Sequence, residues 1–197
     1  MNKTAQTDYD IHPLINQRWS PRAFRNEMPP RDALLRLFEA ARWAPSSGNG
    51  QPWQFVVTSI ENPQAYEKLF ATLHPANQAW VGSAPLLVMA VMEALRDNGR
   101  SNLWAPYDLG QAVANLAIQA TAEGLFVHQM AGFDREQAKV AFNLPEQFEP
   151  MTVFVIGYPG DPDSLSDDLR ERELAPRERK PLSSFTFEDE WGQPLER

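Results

Sequence analysis

Apolar residues recur at helical spacing in several parts of the chain. A broad apolar stripe predicts a helix over residues 32–43, and a regular repeat of leucine, valine and alanine marks the clearest helix, over residues 108–123. Gly124 stands where the C-terminal cap of that helix is expected. Shorter helices are predicted over residues 63–73, with proline in the first turn, and over residues 134–143, which begin with capping-box spacing.

Shorter apolar runs lie between these helices and predict buried strands. They cover residues 53–60, 86–92 and 152–158, and the first follows a concentrated turn signal at residues 45–52. Strands that interleave with helices indicate a layered α/β or α+β domain.

The composition changes abruptly after Pro159. Between residues 161 and 180, 12 of 20 side chains are charged, and only scattered leucines could reach a core. We therefore divide the chain into a folded domain, residues 1–160, and a charged C-terminal arm, residues 161–197. The arm is too polar to fold alone, so it is either disordered or packed against something else, such as a second subunit.

Composition and charge exclude several classes of function. The chain has 197 residues and no cysteine, which excludes disulfides, thiolate metal sites and a cysteine nucleophile. A net charge of −8 argues against nonspecific nucleic-acid binding. The three histidines lack metal-ligand spacing, so no metal is expected, and neither GxGxxG nor a P-loop is present. The longest apolar run is too short to cross a membrane and no secretory signal is visible, so we expect a cytoplasmic protein.

Two local features near the N-terminus are candidates for ligand binding. In Arg18-Trp19-Ser20-Pro21-Arg22, two arginines and a hydroxyl could present several donors to a phosphate, although the segment could equally be a solvated basic turn. Residues 44–53, APSSGNGQPW, offer glycines for close backbone approach and neutral polar groups that suit a flat heteroaromatic ring. The other reading of this second segment is an ordinary connection from helix to strand.

Two further features lie in the second half of the chain. In residues 124–134 a helix ends at glycine and a small-residue turn leads to a new helix, where backbone N–H groups could donate to a ligand. Residues 177–180 carry three basic side chains and could form the second half of a phosphate clamp. A turn between core elements and a solvated basic face are the respective structural alternatives.

In order, these features resemble the FMN-dependent nitroreductase family. The resemblance runs from about Ile11 to Pro181, and its most specific part is the segment APSSGNGQPWQFVV. RWSPRAF is similar to the family's opening R-x-S-x-R-x-F, and HPANQAWV followed by Ala84-Pro85 is similar to a second family segment. The resemblance implies an α+β, three-layer α/β/α nitroreductase-like fold, with a central mostly antiparallel sheet and a C-terminal arm exchanged in a homodimer.

The resemblance also implies roles for individual residues. Arg18 and Arg22 would lie near the FMN phosphate and the pyrimidine edge, and Arg22 would stabilise charge on the reduced flavin. Asn77 would bond the polar edge of the flavin, while Arg177 and Arg179 would close on the phosphate. The remaining expected cofactor contacts are Trp19, Ser20, Met130, Ala131 and Gly132, with Pro45, Ser46, Ser47 and Asn49 supplied by the partner subunit.

The implied activity is an FMN-dependent NAD(P)H oxidoreductase that reduces nitroaromatic or similar small electrophilic acceptors by ping-pong hydride transfer. Because the flavin carries the hydride, no catalytic side chain is expected. Trp104 and Tyr107 fall in the region that shapes the substrate pocket in this family. Two alternatives remain open: a reductase of an enone, quinone, semialdehyde or halophenol on the same fold, and a non-catalytic FMN carrier or sensor.

Overall fold

The structure is a computed structural model that describes residues 3–96 and 98–195. Within these residues the α-helices are α1 (Pro13–Gln17), α2 (Arg31–Arg42), α3 (Pro63–Phe70), α4 (Pro75–Val81), α5 (Ala105–Ala122), α6 (Arg135–Ala141) and α7 (Asp167–Leu174). The strands are β1 (Trp53–Ser59), β2 (Leu86–Glu93), β3 (Phe126–Met130) and β4 (Phe148–Gly157). Single 3₁₀ turns occupy Ser47–Asn49, Pro162–Ser164 and Leu182–Ser184.

The four strands form one sheet in the order β1-β2-β4-β3, and every pairing is antiparallel. The register shifts between Ala90 and Val91, where β2 meets β4 across an irregularity. Strand β1 and strand β3 are therefore the two edges of the sheet. Each edge strand connects to one of the loops that the sequence singled out for ligand binding.

Helices cover both faces of the sheet, which explains why the sequence of β2 is continuously apolar. Leu86 and Val88 face a core shared with α2 and α5, whereas Leu87 and Met89 face a second core built with α3, α4 and α6. Alternate residues of a strand point to opposite faces, so a strand buried on both faces must be apolar at every position. The expected α+β, three-layer α/β/α architecture is confirmed.

Most predicted elements are present, with shifted ends. Helix α5 begins at Ala105 rather than at residue 108, because Pro106 occupies the first turn and needs no N–H partner there. Asp134 caps α6 by accepting from the Gln137 backbone N–H at 2.8 Å, and Gly124 has φ of +72° after α5, both as predicted. Strand β1 is not fully buried as expected, because it is an edge strand and Val57 is largely exposed.

The helical part of the C-terminal arm packs on its own chain. Residues 167–174 form α7, and Leu169 lies against the second core. No helix among the described residues is long and apolar enough to cross a membrane. The division of the chain at residue 160, and the exchange of the arm between two subunits, stay predictions.

Candidate functional site

The segment that carries Arg18 and Arg22, which we call the arginine loop (residues 18–24), lies between α1 and α2. Its backbone is held at the end of β4: the Gly160 N–H donates to the Ala23 carbonyl at 2.8 Å, and the Arg25 N–H donates to the Tyr158 carbonyl at 3.0 Å. A Cβ on Gly160 would come within 2.8 Å of the Phe24 backbone, so this close approach requires glycine. The backbone of the arginine loop is therefore held against the end of β4, and the loop is not a solvated basic turn.

Trp19 anchors the loop through its ring. The side chain is buried, contacts Phe126 edge-on with centroids 6.1 Å apart, and has the Lys3 ammonium 4.9 Å above it. Its indole Nε1 is buried and has no hydrogen-bond partner within the described residues. A buried N–H without a partner is costly and is a common sign of a missing ligand or water.

Three guanidinium groups converge beside the loop. Burial lowers the pKa of Arg18 from its ordinary value, and the positive charges of Arg177 and Arg179 lower it further. The pKa of Arg177 is also lowered, first by burial and then by Arg179. Among the residues that the structure describes, no carboxylate forms an ion pair with any of the three. A cluster of like charges without a counterion is a ready site for an anion.

Hydrogen bonds orient the members of this cluster, which we call the arginine cluster (Arg18, Arg177 and Arg179). Arg18 donates to the Ser20 hydroxyl at 3.2 Å. Arg177 donates to the carbonyls of Lys3 and Asn16 at 2.9 and 2.7 Å. The two halves of the predicted phosphate clamp, 155 or more residues apart in sequence, thus meet in the folded chain.

A second group of predicted residues meets at the start of α4. The Asn77 Nδ2 donates to the Gly132 carbonyl at 2.9 Å, and the His74 backbone N–H donates to the same oxygen at 3.0 Å. A Cβ on Gly132 would lie 2.9 Å from Asn77 Nδ2, so the turn is closely packed. Ala131 is exposed, whereas the Met130 side chain is buried in the core and its carbonyl accepts from Thr152 at 3.0 Å. The Met130 side chain therefore has little to offer a ligand.

His128 and Trp80 connect these two groups. The Pro21 carbonyl lies 2.7 Å from His128 Nδ1, and because a carbonyl only accepts, Nδ1 carries the proton. The His128 ring lies 4.5 Å from the Trp80 ring, which also stacks on Phe24. Burial lowers the pKa of His128 to about 4, and the charges of Arg22 and Arg18 act in the same direction. His128 is thus a neutral donor that holds the arginine loop against β3 and α4.

The glycine-rich loop (residues 45–52) lies before β1, at the other edge of the sheet. Gly48 and Asn49 have positive φ, of +60° and +56°, and the Ser47 backbone N–H donates to Asp108 Oδ2 at 3.0 Å. Asp108 is almost fully buried at the start of α5 and fixes this turn. A shallow depression of about 350 Å³ is lined there by Pro45, Ser46, Ser47, Trp104, Tyr107, Asp108 and Gln111.

Within one chain the predicted site residues therefore form two groups, one on each side of the sheet. The arginine loop, the arginine cluster and the Asn77–Gly132 contact form the group near β3, and the glycine-rich loop forms the group near β1. Residues 45–52 lead into β1 at one edge of the sheet, whereas Met130 ends β3 at the other edge. Three strand spacings separate these edges, which corresponds to about 14 Å.

Sequence reasoning missed four residues that organise the site: Trp80, Asp108, His128 and Glu173. Glu173 is 1% exposed, and its carboxylate accepts from the backbone N–H groups of Arg22 and Ala23. In the sequence it is one of many charges in the arm, and nothing in the local pattern marks it as buried. Asp108 had a signal, since an acidic residue in the first turn of a helix is often a cap, but its partner is a distant loop.

Groups of three or more histidine or acidic residues that could hold a metal ion are absent from the described part of the chain. The chemistry available is therefore that of the arginine cluster and of a tightly packed, neutral polar turn at Asn77 and Gly132. That combination fits a ligand with an anionic end and a flat polar ring.

Comparison with known proteins agrees with this geometry. A crystal structure described as the oxidoreductase containing FMN superposes with a TM-score of 0.90 at 32% identity, over 96% of each chain. A putative NADH dehydrogenase/NAD(P)H nitroreductase of Methanothermobacter thermautotrophicus is 26% identical over 162 residues, covering 80% of this chain and 82% of its own. The iodotyrosine deiodinase of Thermotoga neapolitana is 22% identical over 173 residues, covering 77% of this chain and 90% of its own.

The family assignment rests on most of the folded domain. Residues 15–158 match the nitroreductase family, a span that includes the arginine loop, the glycine-rich loop, all four strands and the Asn77–Gly132 contact. The sheet order and the two helical layers are consistent with that match. The chain belongs to the nitroreductase family.

Proposed function

We propose that this protein is an FMN-dependent oxidoreductase that takes hydride from NADH or NADPH and reduces small electrophilic acceptors such as nitroaromatics. The observation that carries the proposal is the arginine cluster, three guanidinium groups without a paired carboxylate in a chain of net charge −8. Family membership and the names of the similar proteins support the choice of FMN and of a nicotinamide donor.

The residues present fit FMN on chemical grounds. A phosphate monoester is a dianion, and a cluster of guanidinium groups is the usual protein partner for it. The isoalloxazine ring is flat, and its polar edge needs hydrogen bonds rather than neutralisation. Asn77 and the Ala131–Gly132 backbone offer such groups, and Gly132 lets the turn pack closely on Asn77.

Each residue of the site has a defined task in this proposal. Bound FMN supplies the acceptance and release of hydride. Arg18, Arg177 and Arg179 would hold its phosphate, and Arg22 would offer a positive charge to the ring, where it would stabilise negative charge. Neutral His128 keeps the arginine loop in place through the Pro21 carbonyl without adding a further charge. No side chain needs to act as a nucleophile.

We propose that two chains form each site. The 14 Å separation between the two groups of predicted residues supports this, because Pro45, Ser46, Ser47 and Asn49 of one copy can then approach the arginine loop of another. Large exposed aromatic side chains also support it: Trp43, Trp104, Tyr107 and Trp191 are all more than half exposed in the single chain. Exposed aromatic residues are typical of interfaces.

The acceptor is proposed to bind beside Trp104 and Tyr107. These rings border the depression next to Ser46 and carry no net charge, so they suit a flat, neutral or weakly polar molecule. Nitroaromatics meet this description, and so do quinones and halogenated phenols. The similarity to a protein named iodotyrosine deiodinase favours halogenated phenols as the second class to test.

The first test is cofactor binding and reduction. Purified protein is titrated with FMN and with riboflavin, and we expect much tighter binding of FMN because only FMN has the phosphate. The double variant Arg177→Ala/Arg179→Ala should lose at least about tenfold in FMN affinity while riboflavin affinity changes little. Arg172→Ala, an exposed arginine of the same arm, is the matched control. Failure of the wild type to bind FMN would refute the proposal.

The second test is turnover. Anaerobic NADPH or NADH should bleach the bound flavin, and nitroaromatic, quinone, enone, semialdehyde and halophenol acceptors should then restore its colour at different rates. Parallel double-reciprocal lines are expected because donor and acceptor use the same face in turn. A protein that binds FMN but is reduced by neither nicotinamide would be a carrier or sensor instead.

A further inference from the structure

We infer that Glu173 is a positioning residue that locks the arginine loop to the C-terminal arm, and so brings together the arginines of both halves of the anion site. Its carboxylate is 1% exposed and accepts three hydrogen bonds from backbone N–H groups. Arg22 N donates to both oxygens, at 3.0 and 2.9 Å, and Ala23 N donates at 3.2 Å. This inference rests on the proposed function.

The contact acts first on the arginine loop. Two consecutive N–H groups that point at one carboxylate fix the orientation of both peptide planes, and with them the direction in which the Arg22 side chain leaves the backbone. The Arg22 guanidinium remains 3.9 Å from the carboxylate, at the outer limit of an ion pair, and its side chain is about one-quarter exposed. Glu173 therefore holds Arg22 mainly through the backbone and leaves guanidinium donors for a ligand.

The same contact acts on the arm. Glu173 is the one residue of α7 that is buried, and an eight-residue helix in isolation is marginal in water. Lys3 donates to the Glu173 backbone carbonyl, and the Lys3 carbonyl accepts from Arg177 four residues further along the arm. The docking of Glu173 thus determines where Arg177 and Arg179 lie relative to Arg18.

A glutamate serves this purpose better than an apolar residue would. The buried N–H groups of residues 22 and 23 need acceptors, and a carboxylate can accept several hydrogen bonds at once. Its negative charge also lies 3.9 Å from the Arg22 guanidinium. An apolar residue here could bury α7 but would leave both N–H groups without partners.

The test compares Glu173→Gln and Glu173→Ala with Glu171→Gln, an exposed glutamate on the same helix. Hydrogen exchange in the ligand-free proteins should increase together in residues 18–24 and 174–180 of both Glu173 variants, and in neither segment of the control. This readout needs no flavin. An increase in only one segment, or in neither, would overturn the inference.

The second readout is the ratio of the dissociation constants for riboflavin and FMN, which reports how well the phosphate is held. We expect this ratio to fall about tenfold in Glu173→Gln and further in Glu173→Ala, with no change in the control. A larger unfolded fraction weakens the binding of riboflavin and FMN by the same factor, so the ratio does not depend on it. A Glu173 variant with a lower Tm but an unchanged ratio would show that Glu173 only stabilises the fold. If the wild type binds FMN and the Glu173 variants show the same ratio as the wild type, this inference alone is overturned. If the wild type binds no FMN, the proposed function is overturned as well.

Discussion

Acidification should destabilise this protein through His128 before the carboxylates begin to titrate. Burial lowers the pKa of His128 to about 4 in the folded chain, and the charges of Arg22 and Arg18 contribute, whereas an unfolded histidine titrates near 6.5. Between these two values the unfolded chain binds a proton that the folded chain does not. The contribution of neutral His128 to the free energy of unfolding is therefore fully present above pH 6.5 and is lost as the pH falls toward 4.

The size of the effect follows from the difference between the two pKa values. A shift from 6.5 to about 4 corresponds to about 3 kcal/mol in the free energy of unfolding once both states are protonated. About 2 kcal/mol of this should already be lost between pH 7 and pH 5. Protonation would also place a positive charge beside Arg22 and Arg18, against the arginine loop that His128 holds through the Pro21 carbonyl.

The assay is urea unfolding of the wild type and of His128→Asn at pH 7, 6 and 5. Asparagine retains an N–H donor at a similar position but cannot be protonated in this range, so the stability of the variant should change less with pH. At pH 7 the variant should be less stable than the wild type, because the contact with the Trp80 ring is lost. His12→Asn, at an exposed helix cap, is the control and should follow the wild type. Parallel loss of stability in the wild type and His128→Asn would refute the reasoning, as would an NMR titration of His128 near pH 6.5.

Three further substitutions test the packing described above. Leu87→Ala removes a fully buried side chain between the sheet and α3, and should lower the free energy of unfolding in urea by about 2–5 kcal/mol. Gly124→Ala forces a Cβ residue to adopt φ of +72° at the end of α5 and should cost about 1 kcal/mol in the same assay. Gly132→Ala places a Cβ 2.9 Å from Asn77 Nδ2, so FMN affinity should fall about tenfold in a fluorescence titration. Gly82→Ala, which meets nothing within 4 Å, should leave that affinity unchanged.

Local sequence patterns predicted the elements well where the pattern was long. The stripe over residues 108–123 and the apolar run over residues 86–92 correspond closely to α5 and β2. The seven-residue α4 went unpredicted, because two turns are too short to show a period and Trp80 and Val81 are its only buried side chains. Strand β4 begins at Phe148, before Pro150, where a proline discourages a strand prediction.

Motif residues predicted much of the candidate site, since arginine, asparagine and glycine at the expected spacings proved to be neighbours in space. Arg18 meets Arg177 and Arg179, and Asn77 meets Gly132. The residues that hold these groups in place could not be found in this way. Glu173 resembles every other acidic residue of the arm until its burial is known.

The sequence by itself determined the layered class of fold, the acidic and cysteine-free character of the chain, and the segments that are candidates for binding an anion and a flat polar ring. These are local properties, set by hydrophobic periodicity, turn chemistry and residue type. Only the tertiary structure decided which carboxylate is buried, which histidine is neutral, and that the two ligand-binding loops lie at opposite edges of one sheet. Burial and distance depend on how remote segments pack, so no local pattern encodes them.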